Sequence, residues 1–245
     1  MVEQSQQNIA RDRHLFGDHP KRILSLDGGG VRGLITLGML KRVESLLKSR
    51  STAGAHFRLC QYFDLIGGTS TGAIIATMLA MGLTVDRIIA LYFDMIPKIF
   101  GAPRPVGGLI YPKFDPETFD RIIQQVFDEI LRDDLERPDL VDRPDRLTHP
   151  RLDSNVLQTG LAIFAKRADT NSVWPVTNNP RSKYWTPDGP FWQNRPPEQR
   201  EDFFPNRDYS LRQIVRASAS APYYLDAIEI DVGPGQTGFF LDGGV

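Results

Sequence analysis

Asp64-Leu65-Ile66-Gly67-Gly68-Thr69-Ser70-Thr71-Gly72-Ala73-Ile74-Ile75 is the stretch that decides the fold. An apolar strand enters a Gly-x-Ser-x-Gly turn and an apolar helix leaves it, so the serine sits at a strained corner with its hydroxyl projecting from the strand end. Gly68 and Gly72 are required because a side chain two residues to either side would collide with the crossing backbone. The N-terminus of the following helix points toward the serine, where its free N–H groups and dipole favour developing negative charge. The same five residues also serve as an ordinary tight strand-to-helix turn with an incidental serine, so the reading depends on partners elsewhere in the chain.

With 245 residues the chain suits one enlarged domain. Apolar residues make up 41% and charged residues 24%, a globular balance with material for a core. A net charge of −1 gives no reason to expect a nucleic-acid partner. The lone cysteine, Cys60, excludes an internal disulfide framework and reads as a buried small hydrophobe. Residues 1–20 are polar, carry His14 and His19, and lack the apolar stretch of a signal peptide; they are expected to be a flexible arm. No apolar run approaches the roughly 20 residues that span a bilayer, and Ala73 to Leu83 better fits a helix inside the fold. The expectation is a cytoplasmic protein that touches membranes peripherally.

Outward from the central turn, strands and helices alternate. A short strand at Arg22 to Leu26 leads into Asp27-Gly28-Gly29-Gly30-Val31-Arg32-Gly33, and Leu34 to Lys48 follows as a helix with Leu37, Leu40, Val43 and Leu47 at helical spacing. The strand before the serine is placed around Tyr62 to Ile66. Thr84 caps a helix through about Met95, and Asp115-Pro116 caps another with Phe119, Ile122, Ile123, Val126, Phe127 and Ile130 inward. Residues 128–146 carry eight acids against four arginines and read as solvated surface. Strands are expected at Leu161 to Lys166, Val173 to Val176, Ala227 to Ile230 and Gly238 to Leu241, with a helix over Leu211 to Ser218. Such alternation argues for a mostly parallel sheet covered on both faces.

Gly28-Gly29-Gly30-Val31-Arg32-Gly33 also satisfies Gly-x-Gly-x-x-Gly between a strand and a helix, a dinucleotide-binding signature. That use calls for an acidic residue about 20 positions on to hold a ribose, and residues 45–56 contain no Asp or Glu. The other use is an oxyanion hole, since consecutive glycines let backbone N–H groups crowd round a small anion. Arg32 adds a charged fork for a phosphate or a carboxylate, or forms a structural salt bridge. A serine nucleophile needs a proton acceptor. His149 is the only histidine after Ser70; the other candidate is Asp242, at a strand end and followed by Gly243-Gly244. An aspartate starts as a poor base, with a reference pKa near 3.9, and burial raises it.

Three elements together, Asp27 to Gly33, Tyr62 to Gly72 and Asp242-Gly243-Gly244, resemble the patatin-like phospholipases. Arg216-Ala217-Ser218-Ala219-Ser220-Ala221-Pro222-Tyr223-Tyr224 is similar to the family's alanine-serine-proline segment, and the likeness covers about Lys21 to Val245. The resemblance implies a three-layer α/β/α sandwich with a mostly parallel central sheet, related to the catalytic domain of cytosolic phospholipases. It implies a lipid acyl hydrolase, a phospholipase A, lysophospholipase or general esterase, working through an acyl-enzyme. Ser70 would be the nucleophile and Asp242 the general base, with Gly28, Gly29 and Gly30 forming the oxyanion hole. Arg32 and Thr71 would support substrate or structure. No cofactor or metal is expected; the partner is a phospholipid or other acyl-ester lipid, and oligomeric state is left open. The stretches 96–112 and 184–204 would form an acyl-channel mouth or lid. Family domains continue past the Asp-Gly-Gly motif, so 21–245 is expected to be a domain truncated at its C-terminal end. A weakly active or non-catalytic lipid-binding or storage protein on the same fold is the alternative, with nucleotide binding through Gly28 to Gly33 a further one.

Overall fold

The computed structural model describes residues 8–101, 113–136, 150–193, 195–196 and 202–244. Strands β1 (Ile23–Leu26), β2 (Leu65–Thr69) and β3 (Gly160–Arg167) run parallel in that order. β4 (Ser172–Thr177) returns antiparallel along one edge of β3. The other edge of β3 is shared. β2 occupies it from Gly160 to Phe164, and β6 (Gln236–Asp242) takes it over, antiparallel, from Ala165 to Arg167. β5 (Ile228–Gly233) pairs antiparallel with β6. β2 and β6 therefore meet head to head, Thr69 opposite Phe164 and Asp242 opposite Ala165.

The expected mostly parallel sheet is thus a mixed one, parallel through β1, β2 and β3 and antiparallel beyond. Short connections account for two of the three antiparallel strand pairs among the described residues: residues 168–171 join β3 to β4, and Pro234-Gly235 lies in the turn from β5 to β6. Loops this short can return a strand only antiparallel, whereas a parallel return needs a crossover of a dozen residues or more.

Helices cover both faces. α3 (Thr71–Ala80) is buried along its whole length and sits on the face of Gly68. α1 (Ile9–Phe16) lies on the opposite face, where Leu15 reaches Gly160. Those two glycines point to opposite sides because Gly68 pairs with Ile163, three residues from Gly160, and side chains alternate along a strand. The result is the three-layer α/β/α arrangement. α2 (Gly33–Arg50) packs beside α4 (Val85–Phe100), α5 (Pro116–Glu129) packs on α4 and α7, and α7 (Leu211–Ser218) lies on β3 and β6. A single turn, α6 (Pro190–Gln193), stands apart with Trp192 buried. Among the described residues no helix is long and apolar enough to cross a membrane.

Three expectations change. The polar arm is ordered from residue 8: Asn8 accepts from the Arg11 N–H and donates to the Leu157 carbonyl at 2.8 Å, and both Asn8 and Arg11 are buried. His14 and His19 each contact Asp64 Oδ1 at 2.9 Å. Polar side chains that read as solvated are instead tethers to the core. The strand before the serine starts at Leu65, because Leu59–Gln61 is a 3₁₀ turn. α4 continues past Met95 to Phe100, with Pro97 inside its last turns. Cys60 is buried as expected, and burial pushes its thiol up to about 11.

Candidate active site

Ser70 forms the corner between β2 and α3 with φ 56° and ψ −127°. Holding an L-residue there costs on the order of 1–3 kcal/mol, so the surroundings must enforce it. Two close approaches do so. A Cβ on Gly68 would strike the Gly72 carbonyl, and one on Gly72 would strike the Leu26 carbonyl oxygen at the end of β1. A third brace comes from far along the chain: the Ser70 N–H donates to Ser218 Oγ at 2.9 Å, and the Ser218 hydroxyl donates to the Phe164 carbonyl at 2.6 Å.

Asp242 arrives from the other direction along the same edge of β3. Its own N–H donates to the Ser220 carbonyl at 2.9 Å, so the three residues Ser218-Ala219-Ser220 hold the backbone of both Ser70 and Asp242. The Asp242 carboxylate lies beside Ser70 in the same cavity, and the Gly244 N–H donates to Asp242 Oδ1 at 2.8 Å. Asp242 is only 5% exposed. Burial raises its pKa above the ordinary carboxylate value, and the neighbouring Ser70 hydroxyl and the Gly244 N–H offset part of that rise. Beneath the segment, the buried Arg216 donates to Asp120 Oδ1 at 2.7 Å and to Ser220 Oγ at 2.5 Å, pinning the end of α7.

The glycine loop closes the third side. Gly28 abuts Ser70, so a Cβ there would lie 2.6 Å from the Ser70 Cβ. Gly30 has φ 56°, and its carbonyl accepts from the Tyr92 hydroxyl of α4. The N–H groups of Gly28, Gly29 and Gly30 have no backbone acceptor among the described residues. The buried Thr71 hydroxyl lies beside the Tyr92 phenol, whose pKa burial raises and Thr71 partly lowers again. Arg32 is exposed and folds back over Gly29; among the described residues it has no ion pair, so the structural salt bridge is not seen. His149 lies outside the described residues.

All seven sequence-predicted site residues line one cavity of about 900 Å³. Its far walls are apolar: Ile74 from α3, Met95 and Ile99 from α4, Phe114, Phe119 and Leu225. The stretch 96–112 contributes Ile96 and Ile99; residues 102–112 lie outside the described residues. The aromatic stretch 184–204 contributes none of its described residues to the lining. Trp185 packs instead against Arg11 of α1, and Trp192 Nε1 donates to the Lys183 carbonyl at 2.6 Å. Tyr184, Phe191, Trp192 and Phe203 also pack on one another.

The sequence model described as patatin-like phospholipase matches residues 24–245. The chain belongs to the patatin-like phospholipase family. Its curated relatives include the cUMP-AMP-activated phospholipase of Escherichia coli, 38% identical over 127 residues, which make up 49% of this chain and 37% of that protein. Patatin-17 of Solanum cardiophyllum is 35% identical over 114 residues, 44% of this chain and 28% of that one. The chain therefore aligns with well under half the length of either relative. Among solved structures, VipD from Legionella pneumophila aligns over 92% of this chain and 46% of its own, at 12% identity and a TM-score of 0.45. The family match takes in β1, the glycine loop, the serine elbow and Asp242 together.

Proposed function

We propose that this chain is a lipid acyl hydrolase in which Ser70 is the nucleophile, Asp242 the general base and the N–H groups of Gly28, Gly29 and Gly30 the oxyanion donors. The observation that carries the reading is that Ser70, at its strained corner, and the buried Asp242 carboxylate lie together with the glycine loop at the polar end of one apolar cavity. Ser70 Oγ attacks the ester carbonyl carbon while its proton passes to Asp242. The carbonyl oxygen becomes an oxyanion under the glycine amides, each such donor being worth about 100- to 1000-fold in rate. Collapse expels the lyso-lipid alkoxide, which takes the proton from Asp242. Asp242 then deprotonates a water that attacks the acyl-serine, and release of the fatty acid returns the proton to Ser70 Oγ.

Two features support this division of labour. The Ser70 amide is committed to Ser218, which leaves the glycine loop as the nearer source of donors. Burial makes Asp242 more basic than a solvated aspartate, the direction a general base requires. The substrate class is a phospholipid or other fatty-acyl ester, with the acyl chain between α4 and α5. Thr71 and Tyr92 hold the loop from behind, and Arg32 stands at the rim beside the leaving group. Fatty-acid release from phospholipid and from short p-nitrophenyl esters tests the reading. Ser70→Ala and Asp242→Asn should each lower kcat by about 1000-fold or more with the fold intact. Turnover by either variant at the parent rate would defeat the assignment, and an inert parent would point to the binding or storage role.

A further inference from the structure

α2 and α4 lie side by side and antiparallel. Gly33 packs against the Tyr92 phenol near one end, and Lys41 pairs with Asp86 at 2.6 Å nearer the other. α2 is apolar on two faces. Leu37 and Leu40 enter the core, while Ile35, Met39 and Leu46 recur at helical spacing on the outer side. Ile35 is 62% and Met39 66% exposed, and Phe93 on the outer side of α4 is 60% exposed. Because the helices are antiparallel, the start of α2 and the end of α4 reach the same place. There Val31, 52% exposed, and Ile96 line the cavity mouth. Exposed apolar side chains thus stand on the outer side of both helices, and apolar side chains line the cavity where the two helix ends adjoin.

The charges bordering these side chains are not balanced. On the helices the acids Asp86 and Asp94 are each held by a lysine, Lys41 and Lys98, at 2.6 Å, and the exposed Asp27 stands at the cavity beside Arg32. Arg32 and Arg42, by contrast, have no ion-pair partner among the described residues. Apolar side chains flanked by unpaired cations are complementary to a surface that is negative outside and hydrocarbon within.

We propose that the outer surface of the α2–α4 pair seats the protein on an anionic lipid bilayer, with the cavity mouth at the edge of the contact. This deepens, and rests on, the acyl-hydrolase reading: a chain drawn from the bilayer would pass from lipid to cavity along apolar side chains without crossing open water.

Flotation with phosphatidylcholine vesicles, with and without phosphatidylglycerol, tests the surface, using Ser70→Ala protein so that the lipid stays intact. The parent should float with the anionic vesicles. Ile35→Asp combined with Phe93→Asp should weaken that binding by about tenfold or more. Arg42→Glu should weaken it by a similar factor, about tenfold at low salt, with the difference shrinking as salt is raised. In the Ser70 background the same variants should hydrolyse soluble p-nitrophenyl butyrate within about twofold of the parent while losing about tenfold on vesicles. Unchanged flotation of the variants would overturn the proposal. So would a dimer, seen by light scattering, that the same substitutions split, since the surface would then belong to a second copy. A parent that floats but never cleaves the soluble ester would defeat the hydrolase reading and leave the lipid-seating surface standing.

Discussion

Ser70 and Asp242 illustrate how little of the proposed site is carried by the side chains assigned to react. A serine hydroxyl and a carboxylate are common; what distinguishes this pair is that both backbones are tied to one short segment. Ser218 accepts from the Ser70 N–H and donates to Phe164, and Ser220 accepts from the Asp242 N–H. Ser218→Ala removes both bonds and leaves two polar groups near the core without a partner, each costing about 1–3 kcal/mol. The expected outcome is a kcat on soluble ester lowered by about 10- to 100-fold with KM nearly unchanged, and a lower melting temperature. Steady-state kinetics and a thermal scan check it; a parent-like kcat would show that Ser218 does not position Ser70. Ser70 itself was legible because Gly68 and Gly72 answer a steric demand within five residues. The part played by Ser218 was not, since its contact spans 148 residues of sequence, and nothing around Tyr92 in the chain marks it as a support for Gly30.

Among the elements, the serine turn and the helices with strong caps were readable, because Asp115 and Thr84 cap their own next turns at 2.9 and 3.2 Å. The mixed sheet was not, because which edge of β3 a strand joins depends on loop length and on what already occupies that edge. α1 escaped for another reason: its polar residues look solvated until Asp64 is seen beneath them. Burial alone would raise the Asp64 carboxyl, but hydrogen bonds from His19, the Arg22 N–H and His14 outweigh it and hold the pKa at about 2, below the ordinary 3.8. A depressed folded-state pKa adds stability above the unfolded value that is lost as pH falls through the folded one. The gap corresponds to about 2 kcal/mol, present above pH 4 and fading toward pH 2. Asp64→Asn should therefore lower urea stability by about 2 kcal/mol at pH 7 and by much less near pH 2.5. An equal loss at both pH values would contradict the tether.

The whole molecule brings a polar corner and an apolar cavity into one place by running β2 and β6 toward each other on a shared edge. The helices on both faces cover the sheet, and Ile74 of α3, Met95 and Ile99 of α4 and Phe119 of α5 form the apolar walls of the cavity. That arrangement is worth having only if the serine is activated, and activation can be measured without knowing the natural lipid. A fluorophosphonate probe reacts when the serine oxygen attacks phosphorus, fluoride leaves and the proton passes to the base. Peptide mass spectrometry of the labelled chain should find the adduct on Ser70, formed about 100-fold or more slowly in Asp242→Asn. No adduct on Ser70, or an undiminished rate in a folded Asp242→Asn protein, would contradict the pairing of these two residues.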